Sequence, residues 1–293
     1  MRRTIIILVA ALLLASALSA RVIRRKLSIF NPSVPETETV AQGRMEFVYD
    51  YSFATDTIHR TPDNRESDRM LLQIGEGGVS KFSSYKNLSV DSLLMQSTQE
   101  QIVQAALDGL LEHGDFMTIY KNLPDGRLTQ TEKICMDWFR YDEPMPTIDW
   151  EPVDTTATIL GYECAGARRR FGGREWIAFY TEEIPLSEGP WKLCGLPGMI
   201  MAASDAEGDY TFECIGLRSR SDRPLTIYKV PFNNTDRHGL YDAKHRYDVN
   251  PYAYYEATTG GSITVSDEAG NLQPDAHDPM DLGYDYIEKD WRK

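Results

Sequence analysis

The stretch Gly189-Pro190-Trp191-Lys192-Leu193-Cys194-Gly195-Leu196-Pro197-Gly198-Met199-Ile200-Met201 packs two turn-forming pairs, a tryptophan and an apolar run into a short space. Pro197-Gly198 suits the two central positions of a type II turn, because proline presets φ near −65° and glycine accepts the positive φ that follows. The apolar run Met199-Ile200-Met201-Ala202-Ala203 then reads as a strand covered on both faces. The glycines and prolines of this stretch, Gly189, Pro190, Gly195, Pro197 and Gly198, together with Trp191 and Leu196, are expected to shape a strand junction.

Working outward, the neighbouring segments also read as strands. Arg174 to Thr181 carries Trp176, Ala178 and Tyr180 on one side and Ile177 and Phe179 on the other, so it belongs inside a sheet. Thr156 to Ala167 precedes it across Phe171-Gly172-Gly173, and Tyr210 to Leu217 follows the apolar run as the second arm of a hairpin. Farther upstream, Phe47, Tyr49 and Tyr51 share a face of a strand over 46–53, and Gly75 to Gly78 closes a hairpin between Met70–Ile74 and Val79–Ser83. Leu128 to Tyr141 reads as one long strand, with Ile134, Met136 and Trp138 alternating against Lys133, Cys135 and Asp137. Between Ser89 and His113 the apolar spacing becomes helical, which predicts one long amphipathic helix centred on Leu93–Leu111.

Gly195-Leu196-Pro197-Gly198-Met199-Ile200, preceded by Gly189-Pro190-Trp191-Lys192, resembles the signature of the GLPGLI family of Bacteroidetes. Gly161-Tyr162-Glu163-Cys164, Gly173-Arg174-Glu175-Trp176 and Tyr180-Thr181-Glu182-Glu183-Ile184-Pro185 follow the same pattern in order and spacing. The sequence departs from it at Met199, where leucine is usual. The resemblance implies export to the cell envelope and assigns no molecular role.

The N-terminus points the same way. Arg2-Arg3, the apolar run Ile5–Leu14 and Ala17-Leu18-Ser19-Ala20 form a cleavable leader over 1–20, too short an apolar stretch to span a membrane stably. Residues 21–44 read as a flexible lead-in, 45–230 as the β-rich domain, and 231–293 as a partly irregular extension docked on it. Loop composition marks 258–281, and Tyr284–Glu288 is a candidate last strand or docked tail. With 44 acidic against 31 basic residues the net charge is −13, which argues against nucleic acid and anionic lipid as partners. Contact with a membrane is peripheral at most on this reading. Four cysteines, Cys135, Cys164, Cys194 and Cys214, make disulfides possible in an exported chain, and three pairings remain open.

The sequence contains no Gly-x-Ser-x-Gly elbow, no His-Glu-x-x-His, no phosphate-binding glycine loop and no calcium loop. Cys194 is the candidate nucleophile of a thiol-dependent hydrolase or redox protein, if His238 or His245 approaches it. Asp236, His238, Asp242 and His245 form a His/carboxylate cluster that could ligate a metal only on a helix, and a solvated surface accounts for it as well. No cofactor is implied. Binding candidates are the rings Trp176, Phe179, Tyr180 and Trp191, which would line a hollow if the sheet curls, and Arg170 and Arg174 of a basic patch with Arg168 and Arg169.

The expectation is therefore a mainly β protein: a strongly twisted antiparallel sheet, open-barrel-like, with one long helix on its concave face. Its expected role is that of an exported, non-enzymatic binding or accessory protein for a hydrophobic ligand or an envelope protein segment. The alternatives are the Cys194 enzyme and a structural module of an outer-membrane complex.

Overall fold

A computed structural model describes residues 34–263 and 278–292. The expected leader, most of the lead-in and most of the irregular stretch 258–281 lie outside the described residues. The strands are β1 (Thr37–Ala41), β2 (Gly43–Ala54), β3 (Arg65–Gly75), β4 (Ser80–Ser84), β5 (Thr118–Lys121), β6 (Arg127–Ile134) and β7 (Asp137–Pro144). They continue with β8 (Glu151–Ile159), β9 (Tyr162–Phe171), β10 (Arg174–Thr181), β11 (Met199–Asp205), β12 (Tyr210–Arg218), β13 (Leu225–Tyr228) and β14 (Phe232–Asn234). The helices are α1 (Tyr85–Gln96), α2 (Gln99–Leu107), α3 (Arg237–Val249) and α4 (Pro251–Thr259).

Twelve strands form one sheet in the order β14-β7-β6-β5-β4-β3-β2-β12-β11-β10-β9-β8, and β1 and β13 form a separate antiparallel ribbon. Only β14 against β7 is parallel. The sheet consists of two meanders. One runs outward from β2 to β7; the chain then jumps to the far edge and returns inward from β8 to β12, which pairs with β2. The jump reveals the curvature. In a flat sheet the ten steps from β7 to β8 would span roughly 48 Å at about 4.8 Å per strand. The link from Pro144 to Glu151 can reach at most about 25 Å. The sheet must therefore curl until its two arms approach each other, without closing.

The interior of that curl is filled by the loop between β10 and β11. Trp191, Lys192 and Leu193 are fully buried there. Lys121 of β5 donates to the carbonyls of Gly189 (2.8 Å) and Leu193 (3.1 Å), and Tyr49 of β2 donates to the carbonyl of Ile200 (2.7 Å). Trp191 packs against Trp176 of β10 and Phe171 of β9, each at 5.5 Å between ring centroids. The loop thus touches strands of both arms, and one apolar cluster joins Tyr49, Leu72 and Phe82 to Trp176, Trp191 and Ile200.

The open, twisted, mainly β sheet agrees with the sequence reading, and several details differ. Gly198 does not take positive φ, so Pro197-Gly198 is not a type II turn; in this loop the left-handed residues are Gly195 (φ 94°) and Trp191 (φ 52°). Glycine is needed at 198 for a different reason: a Cβ there would lie 2.1 Å from the carbonyl oxygen of Thr181. Gly198→Ala should cost about 1–3 kcal/mol, read as a lower melting temperature. A variant melting with the wild type would show that β10 can move aside.

The single long helix is divided. Ser97 is extended (φ −103°, ψ 150°), and Thr98 and Gln101 form a reciprocal capping box, with Thr98 N donating to Gln101 Oε1 at 2.8 Å. The lead-in is structured where described, since Thr37–Ala41 pairs with Leu225–Tyr228. Leu128–Tyr141 is two strands joined at Cys135-Met136, where Cys135 has φ 56°. Thr156–Ala167 likewise turns at Leu160 (φ 53°) and Gly161 (φ 85°), positive at both central positions as a tight hairpin turn requires. The C-terminal extension contains α3 and α4, N-capped by Asp236 and Asn250.

Candidate functional site

The conspicuous motif is a packed plug. Trp176 and Trp191 are fully buried, and Phe179 and Tyr180 are half-buried against the same cluster, so these rings belong to the packed interior. Arg174 is not part of an exposed patch. Its guanidinium is buried, donates to Asp205 (2.5 Å) and to the carbonyls of Tyr286 (2.9 Å) and Ile287 (3.0 Å), and lies 4.5 Å from the Tyr210 ring centroid. It clamps the C-terminal tail onto the sheet. Arg170 is exposed, while Arg168 and Arg169 pair with Glu151 on the neighbouring strand.

Lys192 does the same on the other arm, a role invisible in the sequence. Its ammonium, fully buried, donates to Tyr141 (2.7 Å), Glu143 (2.7 Å) and both oxygens of Glu288 (3.0 Å). Tyr141 passes the chain on to Gln130 (2.8 Å), which donates to Glu132 (3.2 Å), and Glu132 pairs with Lys244 of α3. One polar network therefore joins the plug, β6, β7, α3 and the tail.

Cys194 is poorly suited to nucleophilic chemistry. The residue is 5% exposed, burial raises its thiol pKa, and the charges acting on it are Lys121 and Glu188, with no histidine among them. His238 and His245 do lie on a helix, α3, but both rings pack against Trp291. All four cysteines are free thiols. Among the described residues no group of three or more His, Cys, Asp or Glu is placed to hold a metal ion. Alkylating agents should leave Cys194 unmodified in the folded protein and label it after denaturation. Rapid labelling of the native chain would contradict its burial.

The groups whose ionisation is most altered in an open setting lie elsewhere, around a cleft of about 80 Å³. It is bounded by α1 (Asn87, Asp91, Leu94), by His113 and Phe116, by the tip of the β6–β7 hairpin (Lys133, Met136, Trp138), by Tyr228 of β13 and by Pro35. The hairpin turn creates this site. In a single strand Lys133 and Trp138 would face opposite sides; folded back, they are register partners on one face. That face is opposite to the one carrying Tyr141 and Gln130, which are likewise partners.

The walls are aromatic. Trp138 packs on Tyr228 at 4.9 Å and edge-on to Phe116 at 6.5 Å, and His113 lies 5.1 Å from Phe116. Asn87 ties the 113–116 segment to α1: its amide donates to the carbonyl of Asp115 (2.6 Å), and its oxygen accepts from Gly114 N (2.8 Å). Tyr228 donates a short hydrogen bond to Asp91. Burial raises the Asp91 carboxyl above its ordinary value, against that hydrogen bond and the charges of Lys81 and Lys133. Burial also pushes His113 down to about 4, with Lys133 and Lys86 adding to the effect, and lowers Lys133 itself. At neutral pH, His113 is uncharged. In the sequence Lys133, Met136 and Trp138 read only as alternating positions of one long strand. A Lys-x-x-x-x-Trp spacing flanking an unrecognised turn is the signal that would have found the pair.

A family model described as "Protein of unknown function (Porph_ging)" matches residues 172–202, which cover the β9–β10 turn, β10, the plug and the start of β11. No curated protein matches the chain. Two solved structures, "Structure of PNGF-II in P21 space group" and "Structure of PNGF-II in C2 space group", each superpose with a TM-score of 0.44 at 12% identity. The superposition covers 68% of this chain and 32% of theirs, so this chain spans about a third of their length. A likeness at that level supports no conclusion about activity.

Proposed function

We propose that this protein is an exported, non-enzymatic binding or accessory protein of the cell envelope, of the GLPGLI kind, and that its working surface is the α1–hairpin cleft. One observation carries this reading. Shifted titratable groups and aromatic rings from four chain segments converge on an open cleft, the arrangement expected of a binding site. The plug loop, by contrast, is dense core. Its conspicuous residues are explained by holding the two arms of the sheet together. Among the described residues no helix is long and apolar enough to cross a membrane.

The test is a photo-crosslinking side chain at Met136, which is 41% exposed at the cleft rim. In intact source cells it should yield a discrete adduct, absent when the probe stands at exposed Leu160 on the far arm. Fractionation should place the mature chain, starting after Ala20, outside the cytoplasm. Equal labelling from both positions would remove the cleft from consideration, and a cytoplasmic full-length chain would remove export.

A further inference from the structure

The Lys133 ammonium lines the cleft without a hydrogen-bond partner among the described residues, and it defines a ligand class. Lys133 Nζ lies 5.7 Å from the Phe116 ring centroid and 5.9 Å from that of Trp138, and has no hydrogen-bond acceptor among the described residues. Asp91, the carboxylate whose charge acts on it, is already bonded to the Tyr228 hydroxyl. His113 lines the same cleft, but its Nδ1 has no exposed surface and the Leu111 backbone acts on the ring, so the imidazole serves as wall. A half-buried ammonium beside two rings is stabilised by them but still lacks the acceptor it had in water.

The charge count narrows the class further. Lys81 and Lys133 both act on Asp91, Lys81 Nζ is engaged by the carbonyl of Thr226 at 2.8 Å, and Lys86, which also acts on His113, is offset by Glu112 at 3.2 Å. The neighbourhood carries one excess positive charge on a chain whose net charge is −13. That suits a monoanion. A neutral ligand would leave Lys133 unpaired in a drier site than before, at the cost of its hydration. A phosphate would bring a second charge to a site with no arginine fork to meet it.

We propose that the cleft binds a small organic carboxylate, with the carboxylate on Lys133 Nζ and a flat or apolar group against the Trp138 and Phe116 rings. This rests on the binding reading above and adds the chemistry of the ligand. The same chemistry is offered by a free organic acid and by the last residue of a polypeptide, whose carboxylate and side chain stand in that relation.

The probe is N-acetylphenylalanine, titrated into the full mature chain by calorimetry, with N-acetylphenylalanine amide as its neutral twin. A short peptide ending in phenylalanine, with and without C-terminal amidation, is the second arm. The acid should bind saturably and about ten-fold or more tighter than the amide, as a charge-assisted hydrogen bond requires. Lys133→Gln should lose that difference and Lys133→Arg should keep part of it, with melting curves recorded so that misfolding is not read as lost binding. Tighter binding of the free-carboxylate peptide than of the single residue assigns the ligand to a chain terminus, and the reverse assigns it to a free acid. Equal binding of acid and amide, an undiminished preference in Lys133→Gln, or no saturable binding of any probe would overturn the inference. The crosslinking result at Met136 is independent of all three, so failure here is distinguishable from failure of the cleft itself.

Discussion

Lys192→Met should be among the most destabilising single changes in this protein, costing about 3–5 kcal/mol, or roughly 6–20 °C in melting temperature for a chain of this size. The reason is the charge left behind. Glu288 is buried and takes two of the ammonium's hydrogen bonds, and Glu143 takes a third. Removing the ammonium strands a carboxylate inside the protein with Arg237, at 3.4 Å, and the Tyr241 hydroxyl to offset it. The double variant Lys192→Met/Glu288→Gln should recover much of the loss, because replacing both members of a buried pair costs far less than breaking it. A single variant as stable as the wild type would show that water reaches this site. Since Glu288 lies on the tail, the single variant should also become sensitive to proteolysis after Gly283.

Trp191→Ala is the second large effect, at about 3–5 kcal/mol. The indole is fully buried between Phe171 and Trp176, and its truncation would open a cavity at the point where both arms of the sheet meet the plug. Two details sharpen the expectation. The indole Nε1 has no hydrogen-bond partner among the described residues, so the ring is held by packing and by the Lys192 ammonium 5.9 Å from its centroid. Its φ of 52° is costly for any side chain, and glycine escapes that cost. Trp191→Gly should therefore be no less stable than Trp191→Ala, the reverse of the usual order. Thermal or denaturant unfolding of the pair decides it, and a loss well under about 3 kcal/mol would place the ring near the surface.

The central strands were legible because their apolar residues alternate and glycine marks their turns: Phe47, Tyr49 and Tyr51 in β2, and the hairpins at 75–78 and 204–208. Failure came where a turn was made by residues that carry no turn signature. Cys135-Met136 reverses the chain without glycine, asparagine or proline, and reading through it put Lys133 and Trp138 on opposite faces. That single parity error hid the cleft. Helix α3 was hidden differently, since its buried face holds Tyr241, Tyr247 and Asp248 beside Leu240 and Ala243, a stripe that looks polar in sequence. The Lys192–Glu288 and Arg174–Ile287 contacts join residues 96 and 113 positions apart, and no local pattern encodes them.

The pairing of β2 with β12 in the middle of the sheet has a consequence for how the protein acquires its structure. Tyr51 stacks on Phe212 at 4.9 Å, yet every other strand of the large sheet except β14 lies between them in the sequence. Each meander can zip from its own short turns, but the seam between them waits for the last strand of the second to be made. Until then β2 presents an aromatic row along a bare edge, the kind of surface on which unfinished chains stick to one another. Folding speed is set by that one distant encounter, whose entropic toll no hairpin can lower.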